Sequence, residues 1–331
     1  MEERRPGLDP AVAEVRLAVR SALTGLEPGA TVLVALSGGA DSLALAAATA
    51  FEAPKRGLRA AALTVDHGLQ DGSTDAAAAA AAKAEALGLE ARVARVEVGA
   101  AGGPEAAARE ARYGALADGA RAIGAAAILT GHTLDDQAET VLLGLARGAG
   151  ATSLQGMAET SVLEGVALLR PLLGVRRVTT RAACAAEGLE PWDDPHNADP
   201  RFARVRVRET VLPMLESELG PGIAEALART AAQLREDAEA FDEMIDETIE
   251  DIVEHAEAGI SVSAAALVAN PAALRNRIIR HVVASEFHES LTRTQTLEVA
   301  RLVTDWSGQG PIDLPGCRAR RVGGRVEFTA R

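Results

Sequence analysis

The chain has 331 residues and carries 47 acidic against 34 basic side chains, a formal net charge of −13. A field of this sign repels phosphate, which excludes a uniformly basic nucleic-acid binder and requires any nucleic-acid contact to be local. Hydrophobic residues make up 48%, which excludes disorder throughout, and the length favours two domains. The two cysteines, Cys184 and Cys317, have no metal-ligand spacing and indicate a reducing, cytoplasmic setting. No uncharged run approaches the roughly 18 apolar residues that span a bilayer, so we expect neither secretion nor membrane insertion.

Strands and helices alternate through the first half of the chain. A helix is predicted around 11–23, and the β-branched run at 31–36 predicts a buried strand. The turn SGGADS at 37–42 then leads into an alanine-rich helix. Further strands are predicted at 58–68, 89–98 and 125–132, and helices at 74–87, 104–123 and 134–148. This alternation predicts right-handed crossovers and a doubly wound parallel α/β sheet.

After residue 148 the alternation weakens. A helix is predicted near 179–187, followed by the irregular segment WDDPHNADPRF. A long helix is predicted over 231–257, with one apolar stripe and acidic remaining faces that we interpret as a solvated surface rather than a metal or partner site. The glycine- and proline-rich segment 220–222 indicates a linker. We therefore predict a catalytic domain over 1–216 and a smaller, mainly helical domain over 217–331.

Polar residues cluster where the predicted strands end, which is where ligands bind in open parallel sheets. These residues are Ser37, Gly38, Gly39, Ala40, Asp41 and Ser42 after the first strand, Asp66 and His67 after the second, and His132, Asp135, Asp136 and Glu139 after the fourth; Arg109, Arg112 and Tyr113 lie in the preceding helix.

The turn at 37–42 has the composition of a phosphate-binding loop. Two glycines allow a sharp turn with inward amides, and the following helix adds its positive end, which suits pyrophosphate. Neither a Walker loop nor a dinucleotide fingerprint is present. Asp41 would oppose a phosphate unless Mg²⁺ lies between them. The alternative is an ordinary strand-to-helix turn closed by Ser42.

The other clusters also allow two interpretations. Glu139 follows Asp135 and Asp136 by one helical turn, so these acids can converge beside the loop, although one aspartate is expected to cap the helix. Arg109 and Arg112 share a helix face and could neutralise phosphate or form a solvated pair. Asp66 and His67 could be ligand-binding or simple turn residues.

The motifs together resemble a known family. SGGADS matches the SGGxDS signature of PP-loop ATP pyrophosphatases. VALSGGADSLAL, VDHGL, EAAAREARYGAL, GHTLDDQAETVLLGLARGAG and WDDPHNADPRFARVRVR occur in the order seen in tRNA(Ile)-lysidine synthetases. This similarity covers about the first 215 residues.

The resemblance implies a specific activity. It implies ATP-dependent attachment of L-lysine to the wobble cytidine of a CAU-anticodon tRNA(Ile): the carbon-2 oxygen attacks the α-phosphate, pyrophosphate leaves, and the lysine side-chain amine displaces AMP. It assigns ATP binding to the 37–42 loop with Asp66 and His67, magnesium to Asp41, and catalysis to Asp41, His132, Asp136 and Glu139. It further assigns substrate contacts to Arg109, Arg112, Tyr113, Asp194, Asn197, Arg204 and Arg208. Val205 departs from the family, which often has asparagine there.

The C-terminal part resembles the shorter family members. Two local basic patches could bind tRNA or pair with the acidic helix. They consist of the arginines at 201, 204, 206 and 208 and of those at 275, 277 and 280. Two alternatives remain. A tRNA-thiolating PP-loop enzyme would share adenylation but generally relies on paired cysteines or an iron–sulfur cluster. A non-catalytic adenine-nucleotide sensor would not need the converging acids.

Overall fold

The computed structural model describes residues 7–68, 72–97, 99, 104–148, 150–192, 199–256 and 259–331. The chain forms two compact units, Met1–Leu234 and Arg235–Arg331. This division falls inside a long helix, whereas the predicted domain boundary after residue 216 lies just before that helix and stays a prediction. Each unit has its own hydrophobic core.

The first unit contains six strands and most of the helices. The strands are β1 (Thr31–Ala35), β2 (Arg59–Asp66), β3 (Glu90–Arg95), β4 (Ala125–Leu129), β5 (Thr160–Leu163) and β6 (Val166–Leu169). The helices are α1 (Pro10–Ala22), α2 (Ala40–Glu52), α3 (Ser73–Ala86), α4 (Pro104–Ala122), α5 (Leu134–Ala146), α6 (Ala151–Leu154), α7 (Arg177–Ala186), α8 (Ala203–Arg206), α9 (Leu212–Leu219) and the start of α10 (Ile223–Ile252). A 3₁₀ turn at Pro54–Arg56 and a π-helical turn at Val207–Val211 complete it.

The sheet of this unit has the order β3-β2-β1-β4-β6-β5 and is parallel except for β5. The predicted doubly wound α/β fold is thereby confirmed. The chain runs from β1 outward to β3 and then returns to place β4 on the other side of β1. Ligands bind at such a switch point, beyond the carboxyl ends of the strands. The loops after β1 and β4 are therefore adjacent at the expected ligand-binding edge.

Helices cover both faces of the sheet. Residues of α1, α2, α3 and α7 share one core with the β1 and β2 side chains of that face, and buried α2 residues such as Leu43 and Leu45 lie within it. On the other face, Leu116 and Ala120 of α4 pack against Leu33 and Ile128. This two-sided burial explains the nearly continuous apolar runs of β1 and β4.

Several predicted boundaries are wrong in detail. β4 ends at Leu129, so residues 130–132 form a loop. The β5–β6 hairpin was not predicted because its strands have four residues each and its turn, Glu164–Gly165, lacks the usual Asn-Gly or Asp-Gly pair. Both turn residues have positive φ, 46° and 83°. Residues 253–256 were predicted as helix but form a strand that pairs with the next strand. The segment begins with the β-branched residue Val253, which favours a strand.

The second unit combines helices with an antiparallel sheet. It contains the remainder of α10, α11 (Ala264–Ala269), α12 (Ala272–Phe287) and α13 (Arg293–Thr304). Its strands are β7 (Val253–Ala256), β8 (Gly259–Ser263), β9 (Ile312–Asp313), β10 (Cys317–Val322) and β11 (Arg325–Ala330), in the order β7-β8-β11-β10-β9. The arginines at 275, 277 and 280 lie on α12. Among the described residues of both units, no helix is long and apolar enough to cross a membrane.

Candidate active site

The glycine turn lies between β1 and α2 and is closed by its own serines. Ser42 Oγ donates to the Gly39 carbonyl at 3.0 Å and accepts from the Ser37 amide at 3.1 Å. Gly38 has a φ of 84°, a backbone conformation that residues with a side chain rarely adopt. The Gly38 carbonyl accepts from the Trp192 amide at 2.9 Å. Gly39 is the N-cap of α2 and extends no side chain over the helix end. Hydrogen bonds thus hold the turn at both of its ends.

The helix end inside this loop is open to a ligand. No group of the described residues accepts from the backbone amides of Gly39, Ala40 and Asp41. Unpaired amides at a helix N-terminus, together with the helix dipole, favour an anion. Gly131, in the loop after β4, brings that loop close: a Cβ there would lie 3.0 Å from the Asp41 carbonyl and from the Ser42 nitrogen.

A single arginine, Arg177 at the start of α7, bridges three of the predicted catalytic acids. Its guanidinium lies 2.8 Å from Asp136 Oδ1, 3.0 Å from Glu139 Oε1 and 3.4 Å from Asp41 Oδ2. The other Asp41 oxygen, Oδ1, accepts from the Thr180 hydroxyl. Of the acids expected to converge beside the 37–42 loop, Asp136 and Glu139 therefore do lie with Asp41, with an arginine between the three carboxylates, whereas Asp135 contacts the backbone of Arg177 instead.

Two further arginines surround Glu139, whose side chain is fully buried. Arg208 donates from Nε to Oε1 at 2.7 Å and from a terminal nitrogen to Oε2 at 3.0 Å. Arg204 lies 3.8 Å from Oε2 and donates to Thr140 Oγ1 at 3.0 Å. These contacts make Glu139 an anchor for arginines.

The two aspartates at the start of α5 cap different helices. Asp136 forms a capping box with Thr133, accepting from its amide at 2.9 Å, so the expectation that one aspartate caps α5 is confirmed. Asp135 instead accepts from the Arg177 amide at 2.7 Å and pairs with Arg176 at 3.1 Å. Asp135 therefore fixes the start of α7, which carries Arg177 into the site.

Burial and pairing shift the pKa values of this network in different directions. Burial raises the pKa of Asp41 despite opposing effects of Thr180 and Arg177. Burial alone would also raise the pKa of Asp136, but Arg177 and the Thr133 amide hold it below its usual value. Burial alone would lower the pKa of Arg177, but Asp136, Glu139 and Asp41 raise it above the usual range.

Asp66 organises the loop after β2. Oδ1 accepts from the Gly68 amide at 3.0 Å and from Ser73 Oγ at 2.8 Å, and Oδ2 accepts from Thr74 Oγ1 at 2.8 Å. The Gly68 amide and the two hydroxyls lower the pKa of Asp66. The adjacent His67 has a buried Nδ1 with no partner among the described residues. Burial lowers the pKa of His67, and Arg112 acts in the same direction.

A basic cluster faces the loop after β4. Arg109 and Arg112 of α4 both lie over the ring of Tyr113, with Cζ 4.8 and 5.4 Å from its centroid. Among the described residues no carboxylate pairs with Arg112. His132 Nδ1 lies 3.0 Å from Thr130 Oγ1. Burial lowers the pKa of His132 to about 4; Asp136 opposes this shift and the arginines reinforce it, so the imidazole is neutral at pH 7.

Two of the predicted substrate residues, Asp194 and Asn197, lie outside the described residues. Sequence reasoning missed Arg177, Thr180 and Gly131. The signal for Gly131 was its place between β4 and His132, where a glycine permits close backbone approach. Val205, at the position that departs from the family, is buried within α8.

The fold and the glycine turn define a PP-loop protein, a class that uses ATP. A PP-loop domain model matches residues 14–215, and a TilS substrate binding domain model matches residues 263–327. A tRNA(Ile)-lysidine synthase from Leifsonia xyli is 61% identical over 92% of this chain and 91% of its own length. Another from Salinispora tropica is 53% identical over 96% of each chain. The chain belongs to the tRNA(Ile)-lysidine synthase family.

A solved structure shares the fold. The U34-tRNA thiolase NcsA from Methanococcus maripaludis with its [4Fe-4S] cluster aligns with a TM-score of 0.58, at 22% identity, over 68% of this chain and 80% of that chain. At this identity the likeness concerns the fold alone. Both cysteines of the present chain are buried, and burial raises the pKa of Cys184 to about 11. Burial also raises the pKa of Cys317, and the relatives reported above are lysidine synthases, so the thiolase alternative is not favoured.

Proposed function

We propose that this protein is an ATP-dependent ligase that adenylates the wobble cytidine of CAU-anticodon tRNA(Ile) and attaches L-lysine to form lysidine. One observation carries the proposal: the open amides of the Gly38–Ser42 turn lie at the same sheet edge as Asp41 and the loop of His132. Adenylation requires groups that bind a triphosphate and stabilise charge as pyrophosphate leaves. The family relationship supports the choice of tRNA and amino acid.

The turn and α2 would bind the phosphates. The amides of Gly39, Ala40 and Asp41 point out of the helix end and can donate to phosphate oxygens. Arg112 is half-buried and has no carboxylate partner among the described residues, so its charge is available to a phosphate. These donors would stabilise negative charge on the α-phosphate and on the departing pyrophosphate.

Magnesium fits the chemistry of this edge. Among the described residues no group of three His, Cys, Asp or Glu side chains could hold a metal ion by itself, so an ion here would need further ligands from the phosphates and water. Asp41 is the acidic residue in the first turn of α2, the helix whose end carries the open amides. Asp41 would hold the ion, which when bound supplies charge neutralisation on the triphosphate.

His132 would act beside the reacting groups. Its low pKa leaves the ring neutral, so one ring nitrogen can accept a proton or hydrogen bond while Nδ1 faces Thr130. Asp136 and Glu139, which the sequence assigned to catalysis, would act here by holding Arg177 and Arg208. Arg204 would extend the basic surface toward the tRNA, and the Tyr113 ring, which lies under Arg109 and Arg112, would support that surface.

The direct test is product analysis. Purified protein with ATP, Mg²⁺, lysine and a tRNA(Ile) transcript bearing CAU should yield a wobble nucleoside heavier than cytidine by one lysine minus water, as measured by mass spectrometry of nuclease digests. A transcript with uridine at the wobble position is the matched control. Pyrophosphate release without lysine incorporation into tRNA would contradict the proposal.

The cysteines separate ligation from thiolation. Replacing Cys184 and Cys317 with serine should leave lysidine formation within about threefold of wild type, because amine transfer needs no thiol. Serine suits Cys184, whose Sγ donates to the Ala40 carbonyl. Loss of all activity in a folded double variant would favour thiolation instead.

A further inference from the structure

Arg177 occupies a position that no sequence motif identified. Its guanidinium is largely buried, with 17% of the side chain exposed, and contacts carboxylates from α2 and α5. The backbone amide of the same residue is fixed by Asp135 at 2.7 Å. Arg177 is therefore held at both its backbone and its side chain.

Among the residues that the structure describes, the network around Arg177 is balanced in charge. The three carboxylates Asp41, Asp136 and Glu139 face three guanidiniums, Arg177, Arg204 and Arg208. A divalent cation at Asp41 adds positive charge to a cluster that is already neutral. Like charges so close repel each other strongly in a half-buried site.

The contacts of Arg177 differ in length, and the longest is the one to Asp41. It lies 3.4 Å from Asp41 Oδ2, against 2.8 Å from Asp136 and 3.0 Å from Glu139. If the Asp41 contact opened, Asp136 and Glu139 would still hold the guanidinium, and Thr180 would still hold Asp41 Oδ1. The site thus contains one contact that can open while the rest stay in place.

We infer that Arg177 is a positioning residue that occupies the cation position of Asp41 when nucleotide is absent, so that Mg²⁺ binding competes with the Arg177–Asp41 ion pair. The inference rests on the proposed magnesium role of Asp41. Arg177 orients the carboxylate before ATP arrives and raises the Mg²⁺ concentration at which ATP binds. A purely structural arginine would affect stability but not this concentration.

The test measures the Mg²⁺ dependence of ATP binding by equilibrium dialysis of labelled ATP. Arg177→Gln removes the competing charge, so half-saturating Mg²⁺ should fall about three- to tenfold. Arg177→Lys has one ammonium that cannot reach three carboxylates together. Its half-saturating Mg²⁺ concentration should therefore lie between those of wild type and Arg177→Gln. Mg²⁺ alone should also raise the thermal midpoint more in Arg177→Gln than in wild type.

Arg176→Gln is the matched control. Arg176 pairs with Asp135 and Glu225 and does not touch Asp41, so its loss should leave half-saturating Mg²⁺ unchanged. An unchanged or higher value in both Arg177 variants would overturn the inference, and Arg177→Lys supplies the test if Arg177→Gln does not fold. Asp41→Asn separates the two ideas. If Asp41→Asn leaves the half-saturating Mg²⁺ concentration unchanged, the magnesium role of Asp41 is contradicted. If Asp41→Asn changes that concentration but the Arg177 variants leave it unchanged, only the inference about Arg177 is contradicted.

Discussion

Among single residues, Glu139 shows how the site tolerates buried charge. Its carboxylate is inaccessible to water, and both oxygens accept from arginines of other elements. Removing one partner from such a network leaves an uncompensated charge, which costs about 3–5 kcal/mol, whereas the intact network contributes little net stability. Glu139 therefore matters mainly because it fixes where Arg177 and Arg208 lie.

Asp41 differs from Glu139 because a quarter of its side chain is exposed. Asp41→Asn keeps the volume and can still accept from Thr180, so the protein should fold. It removes the charge that would hold magnesium at the triphosphate. We expect tRNA-dependent pyrophosphate release to fall about 100-fold or more, since a metal ion supplies several kcal/mol and each 1.36 kcal/mol is tenfold. Circular dichroism provides the folding control; near-normal release would contradict the magnesium role.

His132 gives stability a dependence on pH. Its pKa is about 4 in the folded protein and 6.5 in the reference state, so the unfolded chain binds more protons between these values. The stability that depends on keeping His132 neutral is therefore fully present above pH 6.5 and is lost as the pH falls toward 4. At pH 5 the loss should be about 2 kcal/mol relative to pH 7. Urea unfolding of wild type and His132→Asn at both pH values checks this, and an equal pH dependence in both would contradict it.

At the scale of the elements, the contact between the loop after β4 and the start of α2 brings the two parts of the site together. Gly131→Ala would place a Cβ 3.0 Å from the backbone of Asp41 and Ser42, and backbone cannot move aside easily. We expect a loss of about 1–3 kcal/mol in unfolding free energy and weaker ATP binding.

Gly114→Ala is the matched control for that substitution. A Cβ at Gly114, within α4, meets nothing within 4 Å. Alanine should therefore leave ATP binding unchanged and raise unfolding free energy by up to about 1 kcal/mol, because it is the better helix former. Urea unfolding and ATP dialysis on both variants decide the point. Equal behaviour of the two variants would show that the β4–α2 contact is not critical.

The sequence allowed the sheet to be predicted because β1 and β4 are buried on both faces and bounded by glycine turns. It did not allow the β5–β6 hairpin to be predicted, since those strands have only four residues each. In the second unit β8, β10 and β11 do alternate in burial, but each has only five or six residues, and β8 pairs with β11, which lies about 60 residues later in the chain. The strand-end rule identified the acids. It did not identify Arg177, whose carboxylate partners lie 38 to 136 residues away in the chain and follow no local spacing.

For the molecule as a whole, the question is how a chain of net charge −13 binds tRNA. In the second unit the α10 carboxylates from Glu236 to Asp251 are exposed, which agrees with a solvated face. The same unit carries Arg277, Arg280 and Arg293, which pair with no carboxylate among the described residues. Burial, Arg277 and Arg293 lower the pKa of Arg280. Three positive charges thus lie near one another, and no described carboxylate forms an ion pair with them.

If Arg277 and Arg280 contact phosphates, their joint change to glutamine should weaken tRNA binding about tenfold at low salt, because two sites of counterion release are lost. The slope of log affinity against log salt should fall by roughly one unit per lost contact. ATP binding should not change. Changing Arg318 and Arg320 to glutamine is the matched control, because both already pair with carboxylates on β9 and β11 and release few ions from tRNA. Titrations of tRNA at several salt concentrations distinguish the cases: parallel lines of equal affinity for wild type and the Arg277/Arg280 variant would mean that these arginines serve the fold and that tRNA binds elsewhere.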